Sequence, residues 1–405
     1  MIEGSHKCRL CNGGAVTGCL DLGVQPRCFD FGVEKSHQAV RFPLEFGCCY
    51  RCGFFQAIHP LSEATLNPDF DWVENKEPDD HAASLVTTVV ESTLHPGSRV
   101  LSFSPFDQKY HSLFESFLGK NAVLLDPKED LGIDRATVSQ PQILSGLTVK
   151  NTHRIRKRYG EFDLLFMARL LEHSTHPYNL IQTLMPLLNE GGRLMVEVPD
   201  SSKPLMQGDI AMLWEEHTGY FTPDSIKAGL RDSGLETEEV MIWSYAQEDA
   251  MAILARKSNG AEIAPKANQS PTSLAEQYCS KINRLRVELP RKIKALRNRC
   301  GKVAVFGAGH RAAIFLNALE DSSLVDFVID DAEYKQGLFM PGSGIEIISS
   351  ARAVEESIKV VLFAVSLGAE PKLIALMKQK APYQIEFFST SPDSVHWIGS
   401  DASVQ

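Results

Sequence analysis

Cys8-Arg9-Leu10-Cys11 and Cys49-Tyr50-Arg51-Cys52 are two C-x-x-C pairs. Each can turn two thiolates toward one ion, and together they supply the four ligands of a tetrahedral site. Structural zinc is the reading. Four thiolates leave no open coordination position, so the ion would stabilise folding and would not activate water. Free thiols held in turns are the alternative. Cys48 lacks the two-residue spacing to Cys52, so Cys49 is the ligand, while Cys19 and Cys28 are left as small residues. A second chemical feature is Gly307-Ala308-Gly309-His310-Arg311, which follows the apolar run Val303-Ala304-Val305-Phe306. Glycines between a strand and a helix present backbone N–H groups and a positive helix end to an anion. Gly307, Gly309, His310 and Arg311 are therefore the candidates for nucleotide or phosphate contact. A dinucleotide fingerprint would ask for a third glycine near Ala312, so a plain structural turn remains the competing reading.

These features need elements to hold them, and 405 residues exceed what one hydrophobic core serves. Seven of the nine cysteines fall before residue 53, which in a reducing compartment reads as metal binding and marks a zinc module over residues 1–60. From about residue 80, apolar runs at Val100 to Phe103, Ala122 to Leu125, Leu164 to Met167 and Leu194 to Val198 alternate with helical stretches, predicting a parallel sheet over residues 61–256. Residues 257–273, rich in Ser, Asn, Ala, Gly and Pro, read as a linker. Residues 274–405 open with a helical stretch, Leu274 to Arg299, that Pro290 should kink or interrupt. A second α/β unit follows, with strands at Lys302 to Phe306 and Val325 to Ile329 around a helix at Arg311 to Leu319.

Composition narrows the function classes. A formal charge of -10 gives no broad attraction to nucleic acid, and the basic run Arg154 to Arg158 reads as a solvated face. No segment has the unbroken apolar length of a bilayer span, and the N-terminus lacks the apolar stretch of a secretory signal. The expectation is a cytoplasmic protein with neither a membrane nor a nucleic-acid partner.

Phe162-Asp163-Leu164-Leu165-Phe166, then Leu171-Glu172-His173, then Leu187 to Asp200 with Gly191-Gly192 inside it, resemble the fourth and fifth strands of class I methyltransferases in order and spacing. Glu216-His217-Thr218-Gly219-Tyr220-Phe221-Thr222 resembles the glutamate-histidine signature of sugar C-methyltransferases. With the cysteine module and the C-terminal unit, the whole chain is similar to the three-domain deoxysugar C-methyltransferase family. The resemblance implies an α/β fold: a class I methyltransferase-like Rossmann domain, a small zinc module and a second Rossmann-like domain. It implies S-adenosylmethionine as methyl donor and a nucleotide-linked keto-deoxysugar as acceptor. His217 would be the base that removes the proton beside the sugar ketone, which suits an imidazole of near-neutral pKa. Glu216 would orient it or bond a sugar hydroxyl, and Tyr220 would steady the enolate. Ser102, Ser104, Asp107, Asp126 and His173 are the donor-binding set, and Lys335, in the loop after the second unit's turn, joins the substrate-binding residues.

The chain departs from that family's pattern in one loop. Class I methyltransferases place glycines after the first strand, because the backbone must come close to the donor. Here the segment is Val100-Leu101-Ser102-Phe103-Ser104-Pro105-Phe106-Asp107-Gln108, without a glycine. The stretch Phe70-Asp71-Trp72 likewise lacks the tyrosines and serines expected before the domain. Three functions follow from these observations. One is a C-methyltransferase; another is a catalytically degenerate scaffold that binds a nucleotide sugar or a partner enzyme without methyl transfer; the third is an enzyme that uses the C-terminal Rossmann-like unit for a different cofactor.

Overall fold

The computed structural model describes residues 6–66, 78–135, 138–258, 272–319 and 321–400. The chain divides into two compact units, neither continuous in sequence. The first comprises Met1–Gly18, Gly47–Ser202 and Glu216–Thr272, the second Cys19–Phe46, Lys203–Glu215 and Ser273–Gln405. The N-terminal sixty residues are therefore shared out between both. Their strands β1 (His6–Lys7), β2 (Ala15–Pro26), β3 (Arg41–Cys49) and β4 (Phe55–Ala57) join β9 (Gly219–Tyr220) in a sheet ordered β1-β2-β3-β4-β9.

The main sheet of the first unit is built from β5 (Val100–Ser102), β6 (Ala122–Leu124), β7 (Phe162–Ala168), β8 (Leu188–Asp200), β10 (Leu235–Trp243) and β11 (Asp249–Lys257), in the order β10-β11-β8-β7-β5-β6. The four strands β6, β5, β7 and β8 run parallel, and β11 is inserted antiparallel between β8 and β10. Strands covered on both faces read as continuous apolar runs, which is why β5 and β7 stand out in the sequence. Their side chains alternate between two cores. Leu101, Leu165 and Met167 enter one, and Val100, Leu164 and Phe166 enter the other. The first core also contains Cys8, Leu10, Cys11, Cys49 and Cys52, together with Phe54, Phe221, Ile226 and Leu230. Leu10 lies so close to Gly229 that a Cβ there would collide with it.

In the second unit β12 (Val303–Phe306), β13 (Phe327–Ile329), β14 (Ile347–Ile348), β15 (Val360–Phe363) and β16 (Glu386–Ser389) form an all-parallel sheet ordered β14-β13-β12-β15-β16. Strand order reverses at β12, so the turn after it lies where open α/β sheets bind ligands. The expected interruption at Pro290 does not occur: one helix spans Thr272–Cys300 with the proline inside. Ile282, Leu285, Leu289, Ile293 and Leu296 are buried at helical spacing on both sides of it, and that burial outweighs the lost backbone hydrogen bond. Among the described residues no helix is long and apolar enough to cross a membrane. Most of the expected linker, and Phe70 and Trp72, lie outside the described residues.

Candidate active site

Two segments of the first unit meet beyond the end of β7. After Ala168 the chain turns through Arg169, a non-glycine residue with φ 55°, into a short helical turn over Leu171–His173. Thr218 ties the second segment to it: its N–H donates to the Glu172 carbonyl at 2.8 Å and its Oγ1 to the Ser174 carbonyl at 2.6 Å. His217 is thereby brought edge-on to His173, with ring centroids 4.8 Å apart. A side-chain ligand atom from each of Glu172, His173 and His217 lies within 4.8 Å of the others. Burial pushes His217 down to about 4; burial and then the neighbouring His217 hold His173 well below the usual imidazole range. Both rings are therefore neutral at neutral pH. Glu216 is buried, and Tyr220 is buried in β9, its ring 6.3 Å from His217 and 5.7 Å from Phe55. His217 and Tyr220, both expected to act, thus come together with His173, and Glu172 joins the two histidines.

A further buried cluster went unread in the sequence. His81 accepts or donates through Nδ1 to the Tyr245 hydroxyl at 2.8 Å and through Nε2 to the Tyr110 hydroxyl at 3.2 Å, with the Glu197 carboxylate also 3.2 Å away. Its ring stacks on Trp243 at 4.6 Å. Its partners stand 29 to 164 residues away, so no local pattern could reveal them.

The loop after β5 folds onto its own acidic residue. Asp107 is wholly buried and accepts from the N–H groups of Phe103 at 2.9 Å, Ser104 at 3.1 Å and Ala168 at 2.9 Å. Burial nevertheless raises its carboxyl to about 7. Ser102 and Ser104 are also fully buried, Pro105 is exposed and Phe106 half-buried. At the end of β6, Asp126 stays exposed and caps the next turn by accepting from Glu129 N–H at 2.8 Å. The basic run is paired as well: Arg158 meets buried Asp130 at 2.8 Å.

The cysteine pairs also converge. Cys8 and Cys52 sulfurs lie 3.6 Å apart, Cys11 and Cys49 sulfurs 3.8 Å apart, and all four fall within 4.8 Å of one another. Four thiolates about 2.3 Å from one tetrahedral ion would be about 3.8 Å apart, so the residues fit zinc. Sharing protons foremost with Cys11 holds Cys8 and Cys52 far above the ordinary thiol range, a conflict that a cation would relieve. Gly14 is part of this cradle, since a Cβ there would run into the Cys49 sulfur.

In the second unit the turn after β12 is partly engaged. Ala308 N–H donates to Asp330 at 2.9 Å, and Lys335 donates to the Ala308 carbonyl at 2.8 Å and lies 3.3 Å from Asp330. Arg311 pairs with Asp209 at 2.8 Å and His310 stacks on Trp214 at 4.7 Å. Gly309 alone faces open space where a side chain would stand.

Comparison with known families fits this arrangement. Residues 79–240 match a family described as a methyltransferase domain, and residues 257–370 match one described as the C-methyltransferase C-terminal domain. The two matches together support a C-methyltransferase family whose class I, S-adenosylmethionine-type methyltransferase domain spans residues 79–240. No curated protein matches the sequence. Among solved structures, the chain is similar to the 1,6-didemethyltoxoflavin-N1-methyltransferase of Burkholderia thailandensis at 14% identity and TM-score 0.31, over 45% of this chain and 80% of that one. It is also similar to a putative methyltransferase from Bacillus halodurans at 12% identity and TM-score 0.30, over 44% of this chain and 100% of that one.

The donor of a class I methyltransferase is cradled by the glycine loop after the first strand. In this chain the Phe103 and Ser104 N–H groups, which such a loop would leave for a ligand, are taken by Asp107. Of Ser102, Ser104, Asp107, Asp126 and His173, only Asp126 keeps an exposed side chain. These residues do not fit the donor in the manner of a glycine loop.

Proposed function

We propose that this C-methyltransferase acts on a nucleotide-linked keto-deoxysugar, with His217 removing the proton from the carbon beside the sugar ketone. The observation that carries this reading is the perpendicular pair of buried His173 and half-buried His217, with Glu172 in reach of both. A neutral imidazole accepts the proton, and the Glu172 carboxylate lies close enough to stabilise the imidazolium that results. Tyr220, its ring 6.3 Å from that of His217, suits the developing enolate oxygen; Glu216 suits a sugar hydroxyl. The turn at Gly307, Gly309, His310 and Arg311, with Lys335, is the candidate for the nucleotide, and Gly309 is its open point. Zinc on Cys8, Cys11, Cys49 and Cys52 would be structural, and metal analysis should return about one zinc per chain.

The test needs no methyl donor. A keto-deoxysugar nucleotide incubated with the protein in heavy water should exchange the hydrogen beside its ketone, seen by proton NMR. His217→Ala should cut that exchange by about a hundredfold or more. Exchange that survives the substitution removes His217 from the mechanism. Asp107's occupation of the loop favours a second reading, a scaffold that binds the nucleotide sugar without methyl transfer. Calorimetric titration separates the two: no heat with millimolar S-adenosylmethionine or its demethylated product supports the second.

A further inference from the structure

Arg9 stands inside the first cysteine pair, and it is the residue through which that knuckle reaches the histidines. Its guanidinium is buried and donates to three backbone carbonyls: Nη1 to Thr175 at 2.9 Å, and Nη2 to Ala57 and to Thr218, each at 2.7 Å. Thr175 lies two residues beyond His173, and Thr218 is the residue after His217. The knuckle backbone makes further ties. Arg9 N–H donates to the Gln56 side-chain oxygen at 3.0 Å, and Tyr178 N–H donates to the Arg9 carbonyl at 3.1 Å. No carboxylate pairs with this cation among the described residues. A largely buried guanidinium whose hydrogen bonds all go to neutral carbonyls is costly even with the Cys8 sulfur offsetting part of its charge, and it persists where its planar fork joins groups that nothing else would join. A lysine ammonium, compact and without a fork, cannot span three carbonyls in that plane.

We propose that Arg9 is a positioning residue, the crosslink by which the cysteine knuckle fixes the two backbone segments carrying His173 and His217. The inference rests on the reading that these histidines serve the reaction. The four sulfurs hold the turn, the turn holds the guanidinium, and the guanidinium sets the spacing of the segments. Metal and chemistry are then coupled without the metal touching substrate.

The experiment compares full-length wild type with Arg9→Ala and Arg9→Lys, each checked for zinc content and circular dichroism. Histidine ring signals are followed by NMR on protein labelled at histidine nitrogen, with His173→Asn and His217→Asn supplying the assignments. Both variants are expected to keep zinc, to shift or broaden those two signals, and to lose about tenfold or more of the hydrogen exchange at saturating sugar nucleotide with little change in its KM. Millimolar guanidinium should restore the signals in Arg9→Ala. Unchanged His173 and His217 signals in zinc-loaded Arg9→Lys would overturn the proposal, as would a loss in Arg9→Ala that guanidinium leaves untouched. Should Arg9→Ala fail to fold, Arg9→Lys decides alone. If wild type shows no exchange at all, the reaction assignment fails while the ring signals still judge Arg9.

Discussion

The turn after β5 and the turn after β12 occupy equivalent places in their two sheets and satisfy their backbones in opposite ways. The first has no glycine and closes on a carboxylate of its own, so that Asp107 takes N–H groups from Phe103, Ser104 and Ala168. The second gives its Gly307 N–H to the Ile329 carbonyl and its Ala308 N–H to Asp330, adopts φ 105° at Gly307, and leaves the space beside Gly309 open. A strand-to-helix turn stays available to a ligand when its amides are not already taken, and glycine is what allows a bare backbone to remain there.

The largest way to break this contrast is at Gly307. A Cβ there would sit 2.6 Å from Val365 Cγ1 and 3.0 Å from the Ala364 carbonyl, at a φ that suits only glycine. Gly307→Val should cost about 3 kcal/mol or more in urea unfolding; wild-type stability in that variant would remove glycine's special standing in the second turn. Asp107→Ala should come next, at about 2–3 kcal/mol, because three buried N–H groups lose their acceptor. The same carboxyl predicts a pH signature. Burial raises it from an ordinary 3.8 to about 7, so between those values the folded chain holds a proton that the unfolded chain has released. Its contribution to stability therefore falls as pH rises from about 4 to about 7 and is level above that. Asp107→Asn does not titrate, and the difference between its stability profile and that of wild type should show this slope. The smallest structural effect belongs to Gly309→Ala, whose Cβ meets nothing within 4 Å. Stability should change by less than about 0.5 kcal/mol, while affinity for a nucleoside diphosphate should drop severalfold if this turn holds one. An unaltered affinity would leave the second turn as structural as the first.

Much of this was legible in the residues, for physical reasons that also explain the gaps. The strands β5 and β7 announced themselves because both faces are covered. The antiparallel pair β10 and β11 did not, since β10 carries Glu236, Glu238 and Glu239 and reads as polar. The two cysteine pairs were legible because metal ligation imposes a spacing. The partners of Leu10 and Arg9 were not, because Gly229 and Thr218 lie more than 200 residues away and packing leaves no local signature. Glu216, His217 and Tyr220 were named through a resemblance. The approach of His217 to His173 and Glu172 depends on the long-range bonds of Thr218.

The division of the N-terminal strands between units bears on how the chain is made. Cys19–Phe46 is synthesised well before Lys203–Glu215 and Ser273–Gln405, the rest of its own unit. At about 5–20 residues per second, this segment waits on the order of tens of seconds for those packing partners. Phe29, Phe42 and Phe46, all buried in the finished protein, lack that cover during the interval. Exposed apolar surface of this kind is what chaperones bind.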